Sequence, residues 1–147
     1  AVYLLRKSKF QLAFEWIEKA RKKAKGHSIS SVNNTYAIIL FAANINTPSP
    51  TPEIMATLHE SMDILMRCYQ QDAKKPYHAK VFSDQAIKYA QKFKKTEKST
   101  EYLNQAEEWI KNQLELNKAN RSLLYKQKAL RREIETISRG YLNKSSQ

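Results

Sequence analysis

Only two glycines and four prolines interrupt 147 residues, and Pro48, Pro50 and Pro52 fall within five positions of one another. Sandwiches and barrels of many short strands need those two residues at turn after turn, and average chains hold about 12% of them together. A chain this poor in turn formers has to run in long helices, so the fold class is all-α. With 41% apolar residues and 15 aromatics it can fill one hydrophobic core, and its length suits a single domain. The lone Cys68 cannot form an intramolecular disulfide, and with three scattered histidines it has no metal-ligand spacing. That favours a reducing compartment, the cytoplasm, and no metal or other cofactor.

Apolar periodicity divides the chain into six helices. Phe10, Ala13, Phe14, Ile17, Ala20 and Ala24 recur on one face of a first helix that runs to about Lys25, with Gly26 placed as its C-cap. Ser28 or Ser30 can cap a second, in which Val32, Tyr36, Ile39, Leu40 and Ala43 form one face and Ala37, Ile38 and Phe41 make most of the rest apolar. This helix is expected to be the most buried. Thr51 reads as the N-cap of the third, with Pro52 at its first position and Ile54, Leu58, Met62, Leu65 and Tyr69 facing inward. Pro76 separates it from the fourth, which carries Ala79, Phe82, Ala86, Ile87, Ala90 and Phe93. Ser99 or Thr100 can cap the fifth, with Leu103, Ala106, Ile110 and Leu114 inward. In the sixth Leu123, Gln127, Leu130, Ile134 and Ile137 repeat about every 3.5 residues, a seam suited to a neighbouring helix or to another chain. Residues 141–147 offer nothing to bury and read as a frayed tail.

No stretch approaches the roughly 18 consecutive apolar residues of a membrane span, so no membrane partner is expected. The start AVYLLRKSKF lacks a methionine and a long apolar run, and Leu4 and Leu5 already belong to an amphipathic pattern. It therefore reads as a fragment of a longer protein and not as a signal peptide. Residues 1–140 are read as one domain.

The odd helices share a small, large, small pattern at offsets of four and seven: Ala13, Ile17, Ala20; Ser61, Leu65, Cys68; and, imperfectly, Ala106, Ile110, Gln113. The even helices carry a large residue followed by a small one at Tyr36-Ala37 and Phe82-Ser83. Small residues at fixed places let neighbouring helices approach, and such spacing marks a repeated two-helix unit of about 46 residues. Over roughly Phe10 to Ile137 the chain resembles the tetratricopeptide-repeat superfamily. The odd helices match that family's second helix and the even ones its first. The unit is longer than the family's 34 residues, no turn proline follows Lys25, and the third unit departs at Gln113. The resemblance implies six antiparallel helices in three stacked hairpins, a right-handed superhelix; a generic helical bundle is the alternative.

Charge is segmental. Residues 1–27 hold eight basic and two acidic groups, 74–98 eight and two, and 119–147 seven and two, whereas 53–72 and 99–118 are acidic. In the tetratricopeptide family the first helices line the concave surface, so the resemblance implies a basic inner groove; Asn34, Lys80, Lys88, Lys92, Lys126 and Arg131 lie on those helices and are the candidate partner-binding residues, with no family motif assigning them. The expected function is protein–protein interaction: an acidic or amphipathic segment, or an acidic face of the parent protein's remainder, held by Lys and Arg heads around an apolar floor.

A formal net charge of +12 and a pI near 9.8 keep nucleic acid as the alternative partner. Arg21 to Lys25, Lys92 to Lys95 and Ala129 to Arg132 would meet phosphates, and Tyr77, Tyr89 and Tyr125 would stack on bases, unless they are core. The third reading rests on Arg21 and His27, whose spacing is similar to the Arg/His motif of HEPN-type ribonucleases. That spacing falls across a helix C-terminus, where the dipole favours both residues anyway. Cys68 occupies a packing position, His59 and His78 read as surface, and Trp16 and Trp109 read as covers for the ends of the array. No phosphate-binding loop, dinucleotide fingerprint or nucleophile elbow is present, so no enzyme is expected.

Overall fold

A computed structural model describes the backbone of residues 2–24 and 28–145 and the side chains of 9–24 and 29–139. It is all-α: α1 (Val2–Lys23), α2 (Ser28–Asn44), α3 (Pro52–Gln71), α4 (Pro76–Lys92), α5 (Glu97–Leu116) and α6 (Arg121–Ser145), with no strand among the described residues. None of the helices is long and apolar enough to cross a membrane. The expected Gly26 cap and His27 lie outside the described residues, as does the side chain of Ser28.

The chain divides into two compact units, Ala1–Asp72 and Ala73–Gln147, where the sequence reading drew one domain over 1–140. Each unit buries apolar faces among its own three helices. In the first, α1 and α3 both pack on α2; in the second, α4, α5 and α6 each pack on the other two.

In the first unit, the shared helix α2 is apolar nearly all round because two neighbours cover it. Its fully buried residues are Asn34, Ala37 and Phe41, while Val32, Tyr36, Ile39, Leu40 and Ala43 are only half-buried. The expectation that α2 is the most buried helix is corrected: α4 buries nine residues, from His78 to Ala90. Arg21 ties α1 to α2, its Nε donating to Asn33 Oδ1 at 3.0 Å and its guanidinium lying 4.2 Å from the centre of the Tyr36 ring. On α3, Ser61, Leu65 and Cys68 are all buried, and the Cys68 thiol donates to the Ser30 carbonyl at 3.4 Å. Between α2 and α3, Ser49 adopts φ 50°, a left-handed conformation that costs a non-glycine residue about 1–2 kcal/mol.

The second unit is built around aromatics. Phe82 packs 5.0 Å from Trp109 and edge-on to Tyr102, and Tyr89 packs 5.1 Å from Tyr102 and 4.7 Å from Phe93. Trp109 is therefore core and covers no end, whereas Trp16 is 72% exposed. His78, read as surface, is buried; His59 is half-buried. Gln113, the imperfect member of the small-residue pattern, is buried too: its Nε2 donates to the Ala73 carbonyl, which gives a long polar side chain an acceptor inside the unit. On α6 the 3.5-residue seam closes onto α4 and α5, with Leu123 and Leu130 fully buried and Gln127, Ile134 and Ile137 half-buried. The stretch read as a frayed tail continues α6 to Ser145, since each added helical residue gains a backbone bond once the helix is nucleated.

Caps follow simple chemistry. Thr51 Oγ1 accepts from Ile54 N–H at 3.2 Å, as its position before Pro52 leads one to expect. Helix α5 begins three to four residues earlier than expected, because Thr96 and not Ser99 or Thr100 is its cap. Thr96 Oγ1 accepts from Ser99 N–H at 3.3 Å, and the Ser99 hydroxyl turns inward to the Phe93 carbonyl at 2.6 Å. Thr96→Ala is expected to cost about 1 kcal/mol and lower the melting midpoint by a few degrees. Circular-dichroism melting checks this, and an unchanged midpoint would show the cap to be idle.

Candidate interaction face of α4 and α6

Helical spacing places Tyr77, Lys80, Asp84, Lys88 and Gln91 on one face of α4, and none of the five is buried. Two contacts join that face to α6: Lys126 Nζ donates to Asp84 Oδ1 in an ion pair, and Gln91 Nε2 donates to Glu133 Oε1 at 3.0 Å. Both helices advance seven residues between these contacts, so α4 and α6 run parallel. Tyr125 and Arg132 lie one residue before Lys126 and Glu133, both exposed, and Ala129 lies between them.

The electrostatics of this face are decided by the two contacts. Asp84 is engaged by Lys126 and Glu133 by Gln91. Lys80, Lys88 and Arg132 have no ion-pair partner among the described residues. Two tyrosines on the same helices are exposed, Tyr77 of α4 at 51% and Tyr125 of α6 at 71%. Seventeen basic against eight acidic residues in 73–147 put most of the chain's excess charge in this unit.

The six residues singled out from the sequence are scattered by the structure. Lys80 and Lys88 share the α4 face. Lys126 lies on the adjoining strip of α6, but Asp84 claims its charge. Lys92, exposed at the end of α4, sits with its ammonium 5.7 Å from the Phe93 ring. Arg131 is exposed but sits five residues after Lys126 and two before Glu133, which turns it well away from the α4 side. Asn34 is corrected: its exposure is 0%, so it presents no surface to a docking protein. It lies on α2 at the spacing of Ala37 and Phe41, where the interior needs its volume. The side-chain contacts between α4 and α6 on this face, Asp84–Lys126 and Gln91–Glu133, are polar.

Sequence reasoning did not include Arg132 and Tyr125, both exposed on α6, among the candidate partner-binding residues. A signal was there: Lys80 to Lys88 and Tyr125 to Arg132 share the helical spacing of a single strip, but the register of α4 on α6 is not written in either helix. Tyr89, offered as a stacking candidate, is 1% exposed and belongs to the core. The Arg21 of the ribonuclease reading is held by Asn33 and Tyr36, as described above. No cluster of His, Cys, Asp or Glu among the described residues is placed to hold a metal ion. Burial pushes the Cys68 thiol above its ordinary value despite the nearby Arg67 charge. It likewise pushes the Tyr89 phenol up, opposed by a hydrogen bond with the Thr96 side chain.

No protein-family model matches this chain, and no curated protein or solved structure matches it significantly.

Proposed function

We propose that the chain is a binding module without catalytic activity, and that the α4/α6 face of residues 73–147 docks an acidic segment of a partner protein or of its own parent protein. The observation that carries this reading is the set of cations Lys80, Lys88 and Arg132 on the joined helices α4 and α6, without ion-pair partners among the described residues, together with exposed Tyr77 and Tyr125 on the same two helices. Lys80 and Lys88 are eight residues apart, about 12 Å along the helix axis, and the engaged carboxylate of Asp84 lies between them. Spaced side-chain carboxylates can alternate with such a pattern, whereas a phosphate at every nucleotide would meet Asp84 and Glu133 as well. Tyrosine at an interface adds apolar area with a polar tip.

The tetratricopeptide-like reading belongs to the same proposal. It is supported by α4 and α6 running parallel with α5 packed on both, and by the burial of Phe82-Ser83, Ala106 and Ile110 at the family's close-approach positions. A buried thiol at Cys68 fits a cytoplasmic setting.

Fluorescence anisotropy of a labelled Glu-rich peptide against the full chain tests the proposal, with single-stranded RNA and duplex DNA as competitors over a salt series. Lys80/Lys88/Arg132→Glu is expected to weaken peptide binding about tenfold or more, mainly through association rate. RNA or DNA that displaces the peptide, with a steep salt slope lost in the same variant, would replace this reading with nucleic-acid binding.

A further inference from the structure

Helix α1 carries two faces. Phe10, Ala13, Phe14, Ile17 and Ala20 are half-buried on the side that meets α2. On an adjoining strip of the helix Lys9, Leu12, Trp16, Lys19 and Lys23 recur at intervals of three, four, three and four, and all five are exposed. Leu12 is 58% and Trp16 72% exposed. A 3-4-3-4 spacing is that of a helix–helix seam, and large exposed apolar side chains in such a row mark a contact surface. The two apolar residues sit in the middle with lysines at both ends, and none of the three lysines has an ion-pair partner among the described residues.

We infer that this outer stripe of α1 docks an acidic amphipathic helix of a partner protein. Charge complementarity selects that occupant. A second α1 laid along it would bring Lys9 against the lysines at the far end in an antiparallel pair, or each lysine against its own counterpart in a parallel one. Lys9 to Lys23 spans about 21 Å, the length of four turns. The matching helix places large apolar residues against Leu12 and Trp16 and carboxylates beyond them at each end. This site lies in the first unit and does not depend on the α4/α6 reading.

Trp16 reports on its own site, because the chain's other tryptophan, Trp109, is buried. The test uses the full chain and a synthetic 18-residue peptide with leucine at one-face helical spacing and glutamate elsewhere. Expected are a blue shift of Trp16 emission, several-fold less quenching by acrylamide, and affinity that falls with salt. The signal should vanish in Trp16→Phe, and binding should weaken about tenfold or more in Leu12→Ser/Trp16→Ser and in Lys9/Lys19/Lys23→Glu. These positions are exposed, so the variants keep the fold, which circular dichroism confirms. Lys80/Lys88/Arg132→Glu should leave the Trp16 response intact, and that separates this site from the α4/α6 face. Three results would overturn the inference: an unchanged Trp16 signal, equal binding of the same peptide with lysine in place of glutamate, or protection of Trp16 that rises with protein concentration without peptide, which would make a second copy the occupant.

Discussion

Phe82→Ala is expected to destabilise the chain by about 3–5 kcal/mol, the cost of emptying a buried aromatic position that its surroundings cannot refill. Phe82 has no exposed surface, and its ring touches both Trp109 and Tyr102 from α5. It also stands next to Ser83, whose hydroxyl donates to the Ala79 carbonyl at 2.8 Å in the same buried turn. Removing the ring therefore leaves a gap between α4 and α5 and strips two aromatic contacts at once. Domains of this size hold only about 5–15 kcal/mol in total, so one substitution removes a large share of the reserve. Urea denaturation followed by far-ultraviolet circular dichroism and by Trp109 emission checks the loss. Phe82→Leu, which retains most of the volume, should recover much of it. A small change in Phe82→Ala would mean that the aromatic cluster is not the support of the second unit.

Cys68 should resist alkylation in the native protein and react freely in urea, with a rate ratio of about a thousandfold or more. The thiol is 2% exposed and donates to the Ser30 carbonyl on α2, and burial raises its pKa above the ordinary 9.0. A reagent needs the thiolate, so reaction waits for α3 to open from α2; an opening free energy of about 4 kcal/mol alone gives the thousandfold factor. The same shift sets a direction for pH. The folded chain keeps a proton that the unfolded chain gives up, so the stabilising contribution is complete below the ordinary thiol pKa and is lost as pH rises through the raised value. Tyr89, shifted up from 10.0 chiefly by burial, acts the same way at higher pH. Denaturation midpoints should therefore fall with increasing alkalinity above about pH 9, and Cys68→Ala should lessen the first part of that fall. Rapid native-state labelling would place Cys68 at the surface and contradict the packing of α3 on α2.

Much of the fold was legible because helix formation is local. Periodicity set the six helices, Thr51 with Pro52 marked the start of α3, and the small-residue pattern picked out Ser61, Leu65, Cys68, Ala106 and Ile110 as interior. The helix rule fails where a residue's fate depends on a partner helix. Asn34 was a candidate because it lies on a helix that the resemblance puts along the concave surface, and it is buried because the spacing of Ala37 and Phe41 carries it inward. His78, read as surface, is likewise buried. Trp16 and Trp109 hold similar places in their helices, yet within its unit α5 has two packing neighbours and α1, among the described residues, has one.

The candidate site divides along the same line. Its charge was determined by the sequence alone: lysine and arginine counts and their segregation into α1, α4 and α6 do not depend on packing. Which of those charges are available was decided only in the tertiary structure. Register between α4 and α6 brings Asp84 to Lys126 and Gln91 to Glu133, and so removes Lys126 from the set of available charges. Residues 42 positions apart meet because of the turns and the second helix between them, and neither helix carries that register in its own periodicity.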